Sequence, residues 1–185
     1  EARVARWLRD LGLVESFHLE RIGPSEDSYR VRVKVSADSP EVSLADVGFG
    51  VSQFLPVLIL CYYVPEGATI ILEQPELHLH PSVQAGLADV FIDVIKHRNV
   101  QIILESHSEH LVHRLRRRIA EQALASEDVE LYFVEMAGSE SRIERLAVDV
   151  YGNINNWPAD FFGDRMGDLL AQTDAEMQRK VTKEP

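Results

Sequence analysis

The chain has 185 residues, 45% hydrophobic and 26% charged, a globular balance that excludes disorder, collagen-like repetition and a fibrous rod. Its 30 acidic against 19 basic residues give a formal net charge of -11 at pH 7, which disfavours a broad, sequence-blind grip on nucleic acid and leaves only a local basic patch for that purpose. The single cysteine, Cys61, excludes an internal disulfide and fits a reducing, cytoplasmic setting; its apolar run over 54–64 falls well short of the roughly 17–25 residues a membrane-spanning helix needs, so no membrane partner is expected.

Along the chain, Val4, Trp7, Leu8 and Leu11 recur at helical spacing over 1–12, and Gly12 is a suitable stop. Alternation over 17–22 and 29–35, with Val31, Val33 and Val35 set against Arg30, Arg32 and Lys34, predicts a hairpin turning at Gly23-Pro24-Ser25. Because Pro56 is poorly tolerated deep in a helix, the apolar helix over 54–64 is expected to begin near Ser52 or Gln53, behind the glycine pair Gly48 and Gly50.

The near-continuous apolar runs over 68–72 and 100–104, each ending in a carboxylate, predict strands buried on both faces of a parallel sheet. Between them Val83, Leu87, Val90, Phe91, Val94 and Ile95 form one helical stripe with Pro81 in its first turn, the crossover of a βαβ unit. Leu111, Leu115, Ile119 and Ala123 mark another helix, and 129–134 and 143–148 two further strands. The order predicts an α/β layered fold, largely parallel at its centre and flanked by helices. We expect a single-domain fragment over 1–185: a helix and hairpin lead-in at 1–40, a main lobe at 41–150 and a tail at 151–185. The tail opens with Gly-Asn-Ile-Asn-Asn-Trp-Pro and is expected to end in a polar helix fraying at Lys183-Glu184-Pro185. Starting at Glu1 without a basic, apolar leader, the chain reads as a fragment of something longer.

Three stretches could carry chemistry. In Ile70-Ile71-Leu72-Glu73-Gln74-Pro75-Glu76-Leu77-His78-Leu79-His80-Pro81, Glu73 stands just past a buried strand, where an acidic group can hold magnesium on a phosphate; the plainer reading is a strand ending in a charged loop. In Ile102-Ile103-Leu104-Glu105-Ser106-His107-Ser108-Glu109-His110, the imidazole of His107 can donate to a terminal phosphate or orient a water. The plainer reading makes His107 part of a helix start capped by Ser106 or Ser108, with Glu109 in the first turn. In Asp46-Val47-Gly48-Phe49-Gly50-Val51-Ser52-Gln53, backbone N–H groups at a helix start form a ready anion site, although Gly-x-Gly alone more often marks a turn.

In this order and spacing the stretches resemble the C-terminal half of an ATP-binding-cassette-type, AAA-family ATPase domain, closest to the SMC/RecF and OLD (overcoming lysogenization defect) branch of prokaryotic ATPases. Asp46 to Gln53 resembles the signature loop, Ile70 to Gln74 the Walker B strand, Leu77 to His80 the D-loop and Ser106-His107 the switch-histidine motif. The resemblance covers about residues 41–150 and extends weakly through Asn153 to Trp157. It implies a P-loop NTPase-type fold in which ATP and magnesium are sandwiched between two head-to-tail copies. Glu73 would then hold magnesium, Gln74 would stand at the general-base position and His107, beside Ser106, would sense the γ-phosphate. Gly48, Phe49, Gly50 and Ser52 would approach the partner copy's ATP, and His78 and His80 would line the homodimer seam.

Three departures follow. No glycine is followed by lysine, so a Gly-x-x-x-x-Gly-Lys-Ser/Thr loop is absent, and Walker A is expected in an N-terminal lobe upstream of Glu1. Gln74 is a neutral amide that cannot accept a proton from water, which makes Glu76 and Glu105 the substitute bases. Gly48 stands where the signature has a serine, with Ser52 one helical turn on as its replacement.

Two rival readings stand beside a dimerising ATPase: a nucleotide-gated dimerisation switch without turnover, and a metal-dependent hydrolase built from His78, His80, His107, His110 and His113 with Glu73, Glu76, Glu105 and Glu109. Against the latter, histidines at i, i+3 and i+6 rotate around a helix instead of converging. Arg114, Arg116, Arg117 and Arg118 either contact DNA or form a solvated face complementing a helix dipole, the second being the commoner use. Trp157 reads as a packing anchor for the tail. The resemblance also implies DNA maintenance or anti-phage defence, with DNA or an effector protein as partner.

Overall fold

The computed structural model describes residues 2–23, 28–158, 161, 171–173 and 175–176, so the turn at Pro24-Ser25 and the expected fraying at Lys183 to Pro185 lie outside the described residues. The chain divides into two compact units, Glu1–Leu124 and Ala125–Pro185.

In the first unit, helix α1 (Ala2–Asp10) turns Val4 and Leu8 inward and ends at Gly12, whose φ of +66° is the left-handed conformation glycine adopts most easily. Strands β1 (Ser16–Arg21) and β2 (Tyr29–Lys34) pair antiparallel from Ser16 opposite Lys34 to Arg21 opposite Tyr29, as the alternation requires. A short strand, β3 (Val42–Ser43), adds to β2 and completes a three-stranded sheet.

Helix α2 (Phe49–Tyr63) departs from expectation: it begins at Phe49 with Gly48 as N-cap, not near Ser52, and keeps Pro56 inside. Val51, Phe54, Leu55, Leu58, Cys61 and Tyr62 are buried while Pro56 is exposed. Burying such side chains stabilises by about 1.5–3 kcal/mol each, so the packed face outweighs the roughly 3 kcal/mol that an interior proline costs.

Strands β4 (Thr69–Glu73) and β5 (Gln101–Glu105) are parallel and in register, with Ile71 opposite Ile103 and Glu73 opposite Glu105. Helix α3 (Pro81–Arg98) crosses between them, starting on proline and closing on Asn99 at φ +51°. Burial on both strand faces does not hold. Ile70 and Leu72 are buried, but Ile71 is 67% and Ile103 52% exposed, because the described residues supply a helical layer on one side only. Helix α4 (Glu109–Ala120) lies against α3 and ends before Ala123, which the sequence pattern had included. The core centres on Phe54, Leu58, Cys61, Leu87, Val90 and Val94.

In the second unit, β6 (Leu131–Ala137) and β7 (Glu140–Leu146) form a separate antiparallel pair, closed at Gly138 with φ +69°. The first strand runs later than the expected 129–134 because the turn sits at that glycine. The Gly-Asn-Ile-Asn-Asn loop is held by its own polar groups: Asp149 Oδ1 accepts from the Tyr151 and Asn153 N–H groups at 2.9 and 2.8 Å, and Asn156 Oδ1 accepts from Ala147 N–H at 2.7 Å. Among the described residues no helix is long and apolar enough to cross a membrane.

Candidate functional site

The register of β4 and β5 sets the exposed carboxylates of Glu73 and Glu105 side by side at the carboxyl edge of the parallel pair. Gln74 follows in the left-handed region, φ +46°, a conformation that costs a non-glycine residue about 1–3 kcal/mol. That twist lets its N–H donate to the Glu105 carbonyl at 2.9 Å and its Nε2 donate to Glu105 Oε1 at 3.3 Å. Gln74, expected at the general-base position, and Glu105, one of its expected substitutes, therefore touch. An amide and a carboxylate in contact can orient a water from one and take its proton on the other.

Beyond Gln74 the chain makes two successive turns, Leu77 N–H to Gln74 carbonyl at 3.2 Å and Leu79 N–H to Glu76 carbonyl at 3.1 Å, with His78 also left-handed at φ +61°. His78 and His80 are exposed; His80 also caps α3, its Nδ1 accepting the Ser82 N–H at 3.3 Å. Glu76, in the same turn, is buried, and its Oε1 accepts the His107 backbone N–H at 2.7 Å. The His107 residue itself is exposed. Ser108, not Ser106, caps α4 by accepting the Leu111 N–H at 3.1 Å, while Ser106 Oγ accepts the Ser108 N–H at 3.1 Å.

The third stretch reaches the same neighbourhood. A Cβ added to Gly50 would lie 3.7 Å from the His78 carbonyl, so the first turn of α2 packs against the turn after β4, whereas Gly48 faces open space. Ser52 is half-buried on α2.

The imidazoles do not converge: among the described residues no three His, Cys, Asp or Glu side chains are grouped to hold a metal ion, which removes the geometric basis of the metallohydrolase reading. The arginines of α4 are engaged within the protein. Arg114 and Arg118 both pair with Asp89 at 2.5 and 2.6 Å, and Arg117 and Arg118 pair with Glu121, whose carboxyl they hold below its ordinary pKa. Trp157 packs on Phe161 with ring centroids 4.9 Å apart, and Phe161 on Phe133 at 5.2 Å, as an anchor would.

Sequence reasoning missed Gln84, whose Nε2 donates to the Leu79 carbonyl at 3.0 Å and whose Oε1 accepts from Ser108 Oγ at 2.7 Å. Its signal was present: three, four and seven positions before the buried Leu87, Ala88 and Phe91, it is a polar side chain on an apolar stripe.

An AAA ATPase domain family model matches residues 10–112, and a family described as a protein of unknown function (DUF3696) matches 124–172. No curated protein matches the chain. A chain solved in work on ATP-driven dimerization and DNA-stimulated activation of SMC ATPases superposes with a TM-score of 0.54 at 12% identity, over 79% of this chain and 82% of that one. The Smc head bound to the C-winged-helix domain of ScpA gives a TM-score of 0.59 at 13% identity, over 80% of this chain but 42% of that one. These likenesses establish the fold, that of an SMC-type ATPase head with the P-loop NTPase layering.

Proposed function

The chain belongs to the AAA ATPase domain family, and from that premise we propose that it is the C-terminal lobe of an ATPase that closes as a homodimer around ATP and magnesium. The observation that carries the reading is the in-register pairing of β4 with β5, which delivers Glu73 and Gln74 from one strand and Glu105, Ser106 and His107 from the next to one edge. An exposed carboxylate at a strand end is a fitting donor for magnesium, which takes one or two carboxylates and completes its shell with water and phosphate oxygens. Bound there by Glu73, the ion would neutralise charge on the phosphates. Gln74 orients the attacking water, Glu105 takes its proton, and His107 donates to the γ-phosphate.

The backbone N–H groups of Gly48, Phe49 and Gly50, with the Ser52 hydroxyl, serve the nucleotide held by the partner copy, and the exposed His78 and His80 line the seam. Since no glycine here precedes a lysine, the phosphate-cradling loop belongs to an N-terminal Walker A lobe outside this sequence. The exposed Ile71 and Ile103, paired across the strands, offer that lobe an apolar seat. ATP-driven dimerisation of the SMC relative supports the dimer. A cytoplasmic role in DNA maintenance or anti-phage defence, with DNA or an effector protein as partner, follows from the OLD-like motifs, although the self-paired arginines of α4 argue for a DNA contact elsewhere.

Phosphate release from ATP by the full-length polypeptide tests this. Turnover should require magnesium and fall by about 10²–10³ in His107→Ala, the scale of losing one transition-state donor. Protein that binds no ATP would sink the proposal. A second reading, a switch that binds ATP and dimerises without turnover, draws on Gln74, whose amide accepts no proton. Gln74→Glu should accelerate such a switch strongly and change little if Glu105 already serves as base.

A further inference from the structure

Glu76 is 5% exposed although it lies in a turn, and carboxylates are almost never buried to that degree without a specific partner. Its Oε1 accepts the His107 N–H at 2.7 Å; its Oε2 is buried with no hydrogen-bond partner among the described residues. A group so placed is poorly suited to reach a proton on an attacking water, which a base must do at hydrogen-bonding distance. What it does reach is the backbone N–H of His107, the exposed residue to which the γ-phosphate contact is assigned above.

A second bridge joins the same two segments. From the turn after β4, the Leu79 carbonyl accepts from Gln84 Nε2 at 3.0 Å; Gln84 Oε1 accepts from Ser108 Oγ at 2.7 Å, one residue past His107. The loop between β5 and α4 is thus pinned on both sides of the His107 peptide, by Glu76 at the amide and by Gln84 at the next side chain. We propose that Glu76, assisted by Gln84, is a positioning residue for His107 and not a base: it fastens the histidine-bearing loop to the turn that carries His78 and His80. The inference rests on His107 acting on the γ-phosphate, as proposed above.

The test uses the full-length protein with Glu76→Ala, which removes the acceptor, and Glu76→Gln, which keeps an oxygen at the Oε1 position. In Glu76→Ala, hydrogen exchange over 105–110 should quicken by about tenfold, and kcat should fall by about a hundredfold with KM for ATP nearly unchanged, the scale of a misplaced catalytic group. Glu76→Gln should recover most of both. Unchanged exchange, or unchanged kcat in a wild-type background that hydrolyses ATP, overturns the inference and leaves the functional reading standing. A Glu76→Gln variant as inactive as Glu76→Ala, with the acidic limb of the pH–rate profile gone, makes Glu76 the base and overturns it equally. If Glu76→Ala does not fold, Gln84→Ala takes its place: quicker exchange with lowered kcat supports the pinning, and unaltered kcat sinks it. Wild-type protein that binds no ATP overturns the functional reading itself, and His107's role with it.

Discussion

Phe54, Leu58, Leu87, Val90 and Val94 are wholly buried in the first unit, whereas in the second Tyr132, Val134, Met136 and Ile143 stand more than half exposed along one face of the β6–β7 hairpin. The first unit holds its strands from behind with packed helices. In the described residues of the second, exposed polar contacts stand beside the Trp157–Phe161–Phe133 ring packing: Arg145 to Glu130, Asn156 to Glu144 and the Arg145 carbonyl, Asp149 to its own loop. The candidate site sits wholly on the first kind of support. Ångström-scale placement of Glu73, Gln74 and Glu105 needs strands that cannot slide, and close packing supplies that where exposed hydrogen bonds do not.

Each unit carries one tryptophan, Trp7 or Trp157, so single-tryptophan variants can follow the two separately. The largest effect is expected from Leu87→Ala, which should lower the stability read by Trp7 in urea by about 2–5 kcal/mol and leave the Trp157 transition in place. Equal shifts at both probes would show that the units unfold together and would dissolve the contrast.

Next in size is an alkaline loss confined to the first unit. Burial pushes the Cys61 thiol up to about 11 from an ordinary 9.0, and burial with the Asp93 hydrogen bond raises Tyr62 as well. The unfolded chain gives up the thiol proton first, so this stability is whole below pH 9 and drains away as pH climbs toward 11. Trp7 midpoints measured across that window should fall, and Cys61→Ala should flatten the slope.

Ser108→Ala removes the cap of α4 and the Gln84 bridge together, and a loss of about 1 kcal/mol in the Trp7 transition is expected. Smallest is Arg145→Ala in the second unit. Its partner Glu130 is held below the ordinary carboxylate range by that arginine, so whatever the pair contributes is present above the ordinary pKa of 4.5 and lost as pH falls beneath it. Both groups are solvent-exposed, and no resolvable shift of the Trp157 midpoint is expected at neutral pH. A clear shift would mean the surface contacts matter more than exposure allows.

Much of the first unit was legible because periodicity reports burial directly. The 68–72 and 100–104 runs form strands within one residue of where pattern put them, the stripe from Val83 to Ile95 lies on α3, Ser108 is one of the two caps offered for α4, and the in-register carboxylates follow from two strands ending alike. Pattern failed where tertiary packing overruled local preference. Pro56 put the start of α2 near Ser52, yet the helix begins at Phe49 and six buried residues hold it with the proline inside, and an apolar run cannot say that only one of its faces is covered. The burial of Glu76 was not legible either: nothing local foretells that a carboxylate in this turn is covered and accepts the His107 amide. Gln84 was the readable exception, a polar side chain out of step with its stripe.

Ile71 beside Ile103 has a consequence for the life of the polypeptide before it works. In the described residues β4 and β5 have no further neighbours, so each leaves a row of unpaired backbone groups along its outer edge next to uncovered isoleucine. Such an edge is a template for any other strand that arrives first, including the same strand of a sister molecule. This lobe is therefore a poor candidate for separate expression.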